Sequence, residues 1–554
     1  MCRRRMRAVL VGLCATLMGV LAGCQCASRA RPTRDPSASL RTPIGTNLDF
    51  LNDWSTAMPF VDLMKTSRSW ISGTTSSFDG GGPLDVDERG WVRSLREGQV
   101  ARTLMVWDIT THPAGRYVVL WEGEGEIEYG AGAHQRLVES ESRPGRDVLD
   151  IDPRRFGPGI ELNIVRTNPR NPVRNIRVLV PGGACSGDEA RYCDERRACG
   201  DAGECRPFEQ IHREQVFHPD FLRSMRGYSA IRFMNWADAN STMTPEFEVR
   251  WSDRTELEDA RWAPRAPLEV MIDLANRVHA EPWINLPSRA DDDYARRAGE
   301  LFRARLDPGL RVWVEYSNEV WNSMFPQHEY AAEHGLQLGL SSDRYEAVLR
   351  YYSRRTGELH RAFGAGFGDA GRMVRVYAGQ SASAWVAETI LGFESAGSRA
   401  DAWAIAPYFG TTVTGETLSQ WASLTPDDFF AREQESAIEV VREHVRGNLD
   451  VAQQYGLPLV GYEGGQHYVG YDAAQTDQRI EQLFAAVNRD ARMEGFYLRY
   501  LDAWRDAGGG LLMHHVDCAG GGRYGYWGAS EYLGQPDEEA PKRRALMRWS
   551  HASR

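Results

Sequence analysis

Two periodicities divide the chain. From about Glu88 to Pro181, apolar and polar residues alternate in short runs: Thr103–Trp107, Arg116–Trp121, Glu124–Tyr129, Asp147–Ile151, Gly159–Val165 and Asn175–Val180. Gly, Pro, Asn and Asp separate them. Period-two alternation broken by turn residues predicts antiparallel strands, hence a β-sandwich-like unit. From Phe221 onward, helix and strand patterns take turns. Helical spacing covers Phe221–Arg226, Leu268–Val278, Tyr294–Arg305, Arg344–Phe363, Ala384–Leu391, Ser436–Tyr455 and Arg479–Arg505, the last with a weak point at Gly495. On Leu268–Val278, for example, Leu268, Met271, Ile272, Ala275 and Val278 share one face. Strands are expected over Ala230–Trp236, Pro282–Pro287, the stretch from Arg311, Met373–Gln380, Asp401–Gly410, Pro458–His467 and Gly510–Val516. Ile44–Phe50 adds one ahead of the alternating region.

Eight strands with helices between them predict an α/β chain, a (β/α)8 TIM barrel, rather than an open doubly wound sheet. The sandwich-like unit is then an insertion after the first barrel strand. The expected divisions are 1–24 for a leader, 25–40 for a polar tether and 41–80 for the first strand and its loop. Residues 81–183 form the inserted unit, 184–210 a cysteine-rich loop and 211–554 the rest of the barrel. No Gly-rich phosphate fingerprint follows any strand, which speaks against a dinucleotide.

The leader changes the picture of where the chain works. Arg3, Arg4, Arg5 and Arg7 precede the apolar run Ala8–Leu21, too short for a comfortable membrane span. The run ends in Leu21-Ala22-Gly23-Cys24, which resembles a bacterial lipobox, so Cys24 is the expected lipid-modified residue. A plain secretory signal is the alternative. The expected address is the cell envelope, at the outer membrane or cell surface. Export means an oxidising compartment. Cys185, Cys193, Cys199 and Cys205 lie in one loop without a C-x-x-C pair, so two local disulfides are expected rather than zinc, with three pairings open. Cys518 has no evident partner and reads as a buried thiol. A net charge of −11 argues against nucleic acid.

Candidate chemistry lies at the strand ends, where barrels of this kind carry their active sites. RVWVEYSNEVWN, Arg311–Asn322, runs from an apolar strand into Asn318-Glu319, followed by Trp321. A carboxyl can protonate a glycosidic oxygen, an amide can bond a ring hydroxyl and an indole can stack on a sugar face. Glu463 supplies a second carboxyl at the end of strand seven. Arg232 and Asn235 end strand two, Asn285 strand three, Tyr408 strand six, and His514 and His515 strand eight. No metal-ligand spacing includes the two histidines, which read as wall residues. No metal and no cofactor is implied.

This layout resembles clan A glycoside hydrolases, retaining (β/α)8 enzymes. Asn318-Glu319 is similar to the clan's strand-four pair, Glu463 to its strand-seven nucleophile, Tyr408 to its strand-six tyrosine and Arg232 to its strand-two arginine. Trp527 is a weaker counterpart of the tryptophan near strand eight, and Asn285 stands where a histidine is usual. The resemblance implies that Glu319 is the acid/base and Glu463 the nucleophile, kept ionised by Arg232 and Tyr408. Substrate contacts are expected at Asn318, Arg232, Asn235, Asn285, Trp321, Tyr408, His467 and Trp527. The expected partners are an oligo- or polysaccharide and, through Cys24, a membrane; no obligate protein partner is evident. A non-catalytic glycan-binding lipoprotein and a transglycosylase of envelope polysaccharide remain alternatives.

Overall fold

The computed structural model describes residues 35–107, 109–130, 137–153, 159–240, 249–433 and 436–552. Cys24, the leader and the tether up to residue 34 lie outside the described residues. Among the described residues no helix is long and apolar enough to cross a membrane.

Eight parallel strands close into a barrel: β1 (Ile44–Asn47), β2 (Ala230–Arg232), β3 (Glu281–Leu286), β4 (Val312–Tyr316), β5 (Met373–Ala378), β6 (Ala402–Ile405), β7 (Leu459–Gly461) and β8 (Gly509–His514). Each pairs with the next, and Thr46 of β1 faces both Ile231 and His514, which seals the ring. Alternate side chains fill the interior: Trp283, Trp313, Val374, Val376, Ala404, Val460, Leu511 and Met513 form one buried cluster. The rings of Trp283 and Trp313 stack at 5.2 Å. Gly45 faces the same space, and a Cβ there would meet the Met513 sulfur at 2.3 Å. A far larger apolar layer lies between the strands and the surrounding helices.

Local signals start and stop those helices. Asp291 accepts from the Tyr294 amide at 2.7 Å and opens Asp292–Arg305. Asp343 opens Arg344–Phe367 in the same way, and Gly368, at φ +73°, closes it. Several strands end earlier than the alternation suggests. β6 stops before Pro407, which has no N–H for a ladder, and β2 and β7 stop at Arg232 and Gly461, so Glu463 and Tyr408 stand on loops just past the sheet.

Between β1 and β2, besides two smaller sheets, lie two larger antiparallel ones. One has the order Ile71–Thr74, Gln99–Val106, Ile160–Thr167, Gly125–Gly130; the other has Arg174–Leu179, Gly115–Glu122, Arg146–Ile151. They share a core that includes Tyr117, Val119, Leu149, Leu162, Ile164 and Val178. The boundary expected at residue 81 is corrected: Ile71–Thr74 already pairs with Gln99–Arg102, and Val61, Leu63 and Met64 belong to the same core. Ile-Ser-Gly-Thr carries a single large apolar side chain, so it shows no alternation to read.

The cysteine-rich segment is likewise more than a loop. Gly183–Cys185, Asp188–Cys193 and Cys205–Pro207 form a small antiparallel sheet. Disulfides join Cys185 to Cys199 and Cys193 to Cys205. Cys518 is a buried free thiol.

Candidate active site

The inward face of the barrel turns from apolar to polar at its C-terminal end, and Arg232 sits at the centre of that change. It is fully buried. Its Nε and one terminal nitrogen donate to the two oxygens of Glu315 at 2.9 and 3.0 Å. The other terminal nitrogen donates to Glu463 Oε1 at 2.9 Å and to Asn47 Oδ1 at 3.0 Å. A further bond reaches Asn318 Oδ1 at 2.7 Å. Burial works against the Arg232 cation, but the charges of Glu315 and Glu463 outweigh it and hold the guanidinium protonated.

The two sequence-predicted glutamates have different surroundings. Glu463 is buried, and its second oxygen accepts from the Tyr408 hydroxyl at 2.9 Å. It thus meets one cationic and one neutral donor. Glu319 receives the Tyr462 hydroxyl at 2.8 Å and the Asn322 amide at 2.9 Å, with no arginine bonded to it among the described residues. Desolvation, then the charge of Glu463, push its carboxyl up to about 7. Its backbone is in the left-handed region at φ +42°, as is Ser317 at +55°. Such positions cost ~1–3 kcal/mol each and persist only where neighbours fix them. Here the neighbours include Ser317 N bonded to Leu286 O at 2.8 Å and Asn322 N bonded to Glu319 O at 2.8 Å.

An aromatic wall stands beside Glu463. The ring of Tyr408 lies 5.5 Å from His467 and 5.9 Å from Trp527, and His515 lies 5.8 Å from Trp527. His515 Nδ1 is 3.9 Å from Glu463 Oε1 and lacks a hydrogen-bond partner among the described residues. Burial lowers the pKa of both His467 and His515, which favours the neutral imidazole.

Arg232, Asn318, Glu319, Tyr408 and Glu463 therefore come together, with His467 and Trp527 along the wall. The other expected contacts are bonded to, or packed against, neighbouring parts of the protein. Asn235 donates to Leu48 O at 2.8 Å and ties the β2 loop to the β1 loop. Asn285 donates to Glu315 at 3.0 Å and to Ser317 O at 2.7 Å, a brace beneath the pair. Trp321 packs against the outer core layer. Three residues that sequence reasoning missed complete the network: Glu315, Tyr462 and Asn322. Glu315 had a legible signal, being two residues past Trp313 on an otherwise apolar strand and hence on the same inward face. Tyr462 looked like core and Asn322 like loop.

No protein-family model matches the chain, and no curated protein is similar to it. Among solved structures it is similar to a 4-O-α-L-rhamnosyl-β-D-glucuronidase from Fusarium oxysporum 12S, at 12% identity and a TM-score of 0.36, over 59% of this chain and 63% of that one. It is similar to an endo-1,4-β-D-mannanase from Thermotoga petrophila RKU-1, at 14% identity and a TM-score of 0.30, over 60% of this chain and 94% of that one. A third is the GH53 catalytic domain of Ignisphaera aggregans, at 13% identity and a TM-score of 0.33, over 59% and 87%. The aligned part spans less than two thirds of the rhamnosyl-glucuronidase's own length. At these TM-scores the likeness decides nothing. The closed parallel barrel, consistent with the clan A architecture, stands on its own strand register.

Proposed function

We propose that the protein is an exported retaining glycoside hydrolase that cleaves β-linked glycans by double displacement. One observation carries the reading: two glutamates past the ends of β4 and β7 have opposite surroundings. Glu463 is paired with Arg232 and Tyr408, while Glu319 is pushed up to about 7. Separated roles of this kind are what a nucleophile and an acid/base need.

In the first step a Glu463 oxygen bonds the anomeric carbon as the glycosidic C–O bond breaks. Glu319 gives its proton to the departing oxygen. In the second step Glu319 takes a proton from water, the water oxygen bonds the anomeric carbon and the ester to Glu463 breaks. Arg232 and Tyr408 hold the attacking carboxylate in place. Tyr462 and Asn322 hold Glu319 on the other side.

A 2-deoxy-2-fluoro glycoside of the right sugar should label Glu463, and the product should keep its anomeric configuration. Glu319→Ala should spare the first step for an aryl glycoside with a good leaving group, and azide should restore turnover. Label on another residue, or an inverted product, removes the assignment.

Export and anchoring rest on the leader, with Cys24 as the lipid-modified residue. Cys24→Ala should release the protein from membranes or block its maturation; unchanged attachment and processing defeat that part alone.

A further inference from the structure

Arg232 gives two hydrogen bonds to Glu315 and only one to Glu463. Both oxygens of Glu315 are bound by the flat edge of the guanidinium, at 2.9 and 3.0 Å, whereas Glu463 receives a single bond at 2.9 Å from the nitrogen it shares with Asn47. Glu315 is 1% exposed, so water screens little of this. Trp283 Nε1 donates to Glu315 Oε2 at 2.8 Å and Asn285 Nδ2 to the same oxygen at 3.0 Å. Burial raises the Glu315 carboxyl above its ordinary value, and Arg232 and Trp283 offset only part of that. Four N–H donors converging on two oxygens are the setting of an ionised carboxylate.

We propose that Glu315 is a positioning residue for the nucleophile: by occupying the bidentate edge of Arg232, it limits Arg232 to one bond with Glu463. A carboxylate in a bidentate pair with a buried arginine is a poor nucleophile, since its lone pairs and charge are already engaged. With Glu315 present, one cation is shared between two anions. Glu463 is oriented by Arg232 and Tyr408 yet keeps charge to give to the anomeric carbon. The pocket as a whole is left net negative, which suits a transition state that gains positive charge at the sugar. Trp283 and Asn285 keep Glu315 from turning away, and so does its place on β4, where it lies directly opposite Asn285 of β3.

The kinetic part of the test rests on the glycosidase reading; the titration part does not. In Glu315→Gln the side chain keeps its volume but loses its charge, and one edge of it becomes a donor facing Arg232. Arg232 then turns its free donors to Glu463. With glutamate carboxyls labelled by 13C and Glu463 assigned through Glu463→Gln, the Glu463 resonance should titrate about one pH unit lower in Glu315→Gln, the usual size of an added charge partner. Counting active sites with the fluoro glycoside, kcat per labelled site should fall ~10-fold or more with KM within about two-fold, the pattern of an interaction that matters in the chemical step. The acid limb of kcat/KM should move down with the resonance. Trp283→Phe and Asn285→Ala, which remove one donor each from Glu315, should shift both readouts the same way by less; they serve if Glu315→Gln does not fold. An unmoved Glu463 titration in variants that fold overturns the proposal. A moved titration without any glycoside turnover in the wild type leaves the proposal standing and defeats the glycosidase reading instead.

Discussion

Glu319 combines strained backbone with a carboxyl raised by burial and by Glu463. Two consequences follow at the level of this residue. The basic limb of kcat/KM should fall near pH 7, where Glu319 loses the proton it must deliver. The Tyr462 and Asn322 bonds work against the shift, so Tyr462→Phe should move that limb to higher pH; movement to lower pH rules out Glu319 as its source. The stability effect has the opposite use of the same sign. A carboxyl raised from ~4.3 in the unfolded chain binds its proton more tightly when folded. Its contribution is whole below the unfolded value and is lost as pH rises through about 7. Glu319→Gln should therefore melt above the wild type at pH 8 and level with it at pH 4, as thermal denaturation at the two pH values reads. This much of the site was legible because a carboxyl, an amide and an arginine at strand ends have few other uses. Asn235 and Asn285 also brace backbone, a use the sequence did not show, because a sequence does not say which way an amide turns.

Elements were legible where the pattern repeats and hidden where it is short. Leu268–Val278 and the strand after it, Glu281–Leu286, follow their apolar spacing. The long helical stretch from residue 478 breaks at Asp490 rather than Gly495. Gly costs ~1 kcal/mol inside a helix and is tolerated there. Asp490 accepts from the Arg492 amide at 2.9 Å, which starts a second helix, Arg492–Asp506. The cysteine-rich sheet could not be read from alternation, since its strands are three to six residues long and each has a disulfide-bonded cysteine at one end. Peptides mapped without reduction should show Cys185 joined to Cys199 and Cys193 to Cys205. Any other pairing, or free thiols, contradicts the arrangement. Closing loops of 14 and 12 residues, each bridge should contribute about 3 kcal/mol to the unit that contains it. Replacing both cysteines of one bridge by serine should lower the melting temperature more than it lowers activity per folded molecule.

At the scale of the whole molecule, the eight-fold recurrence made the barrel legible, and the insertion was legible as a change of period. What the sequence hid is how the two are joined. The segment after β1 belongs to both. Val61 N bonds Val216 O on the barrel side at 3.0 Å, and Val180 N bonds Val61 O on the insertion side at 3.1 Å. Asp62 accepts from Val178 N at 2.9 Å and from Met64 N at 3.1 Å, and its side chain lies 3.4 Å from Arg177. Lys65 is buried beside it, donating to Asp259 O at 2.7 Å with its ammonium 4.6 Å from the Trp262 ring. Desolvation, aided by Arg177, lowers Lys65 to about 8. The insertion core thus includes residues of the barrel's own loop, and each unit lacks part of its apolar surface without the other. Urea unfolding of the described chain should then show one transition, with tryptophan fluorescence, far-UV circular dichroism and activity falling together. Asp62→Ala should move that transition by ~2–3 kcal/mol, because two buried amides lose their acceptor and Arg177 its counter-charge. All three signals should move by the same amount. A variant in which activity survives a first transition that melts the β sheets would mean that the insertion unfolds alone, and that the segment from 58 to 66 is a linker rather than a seam.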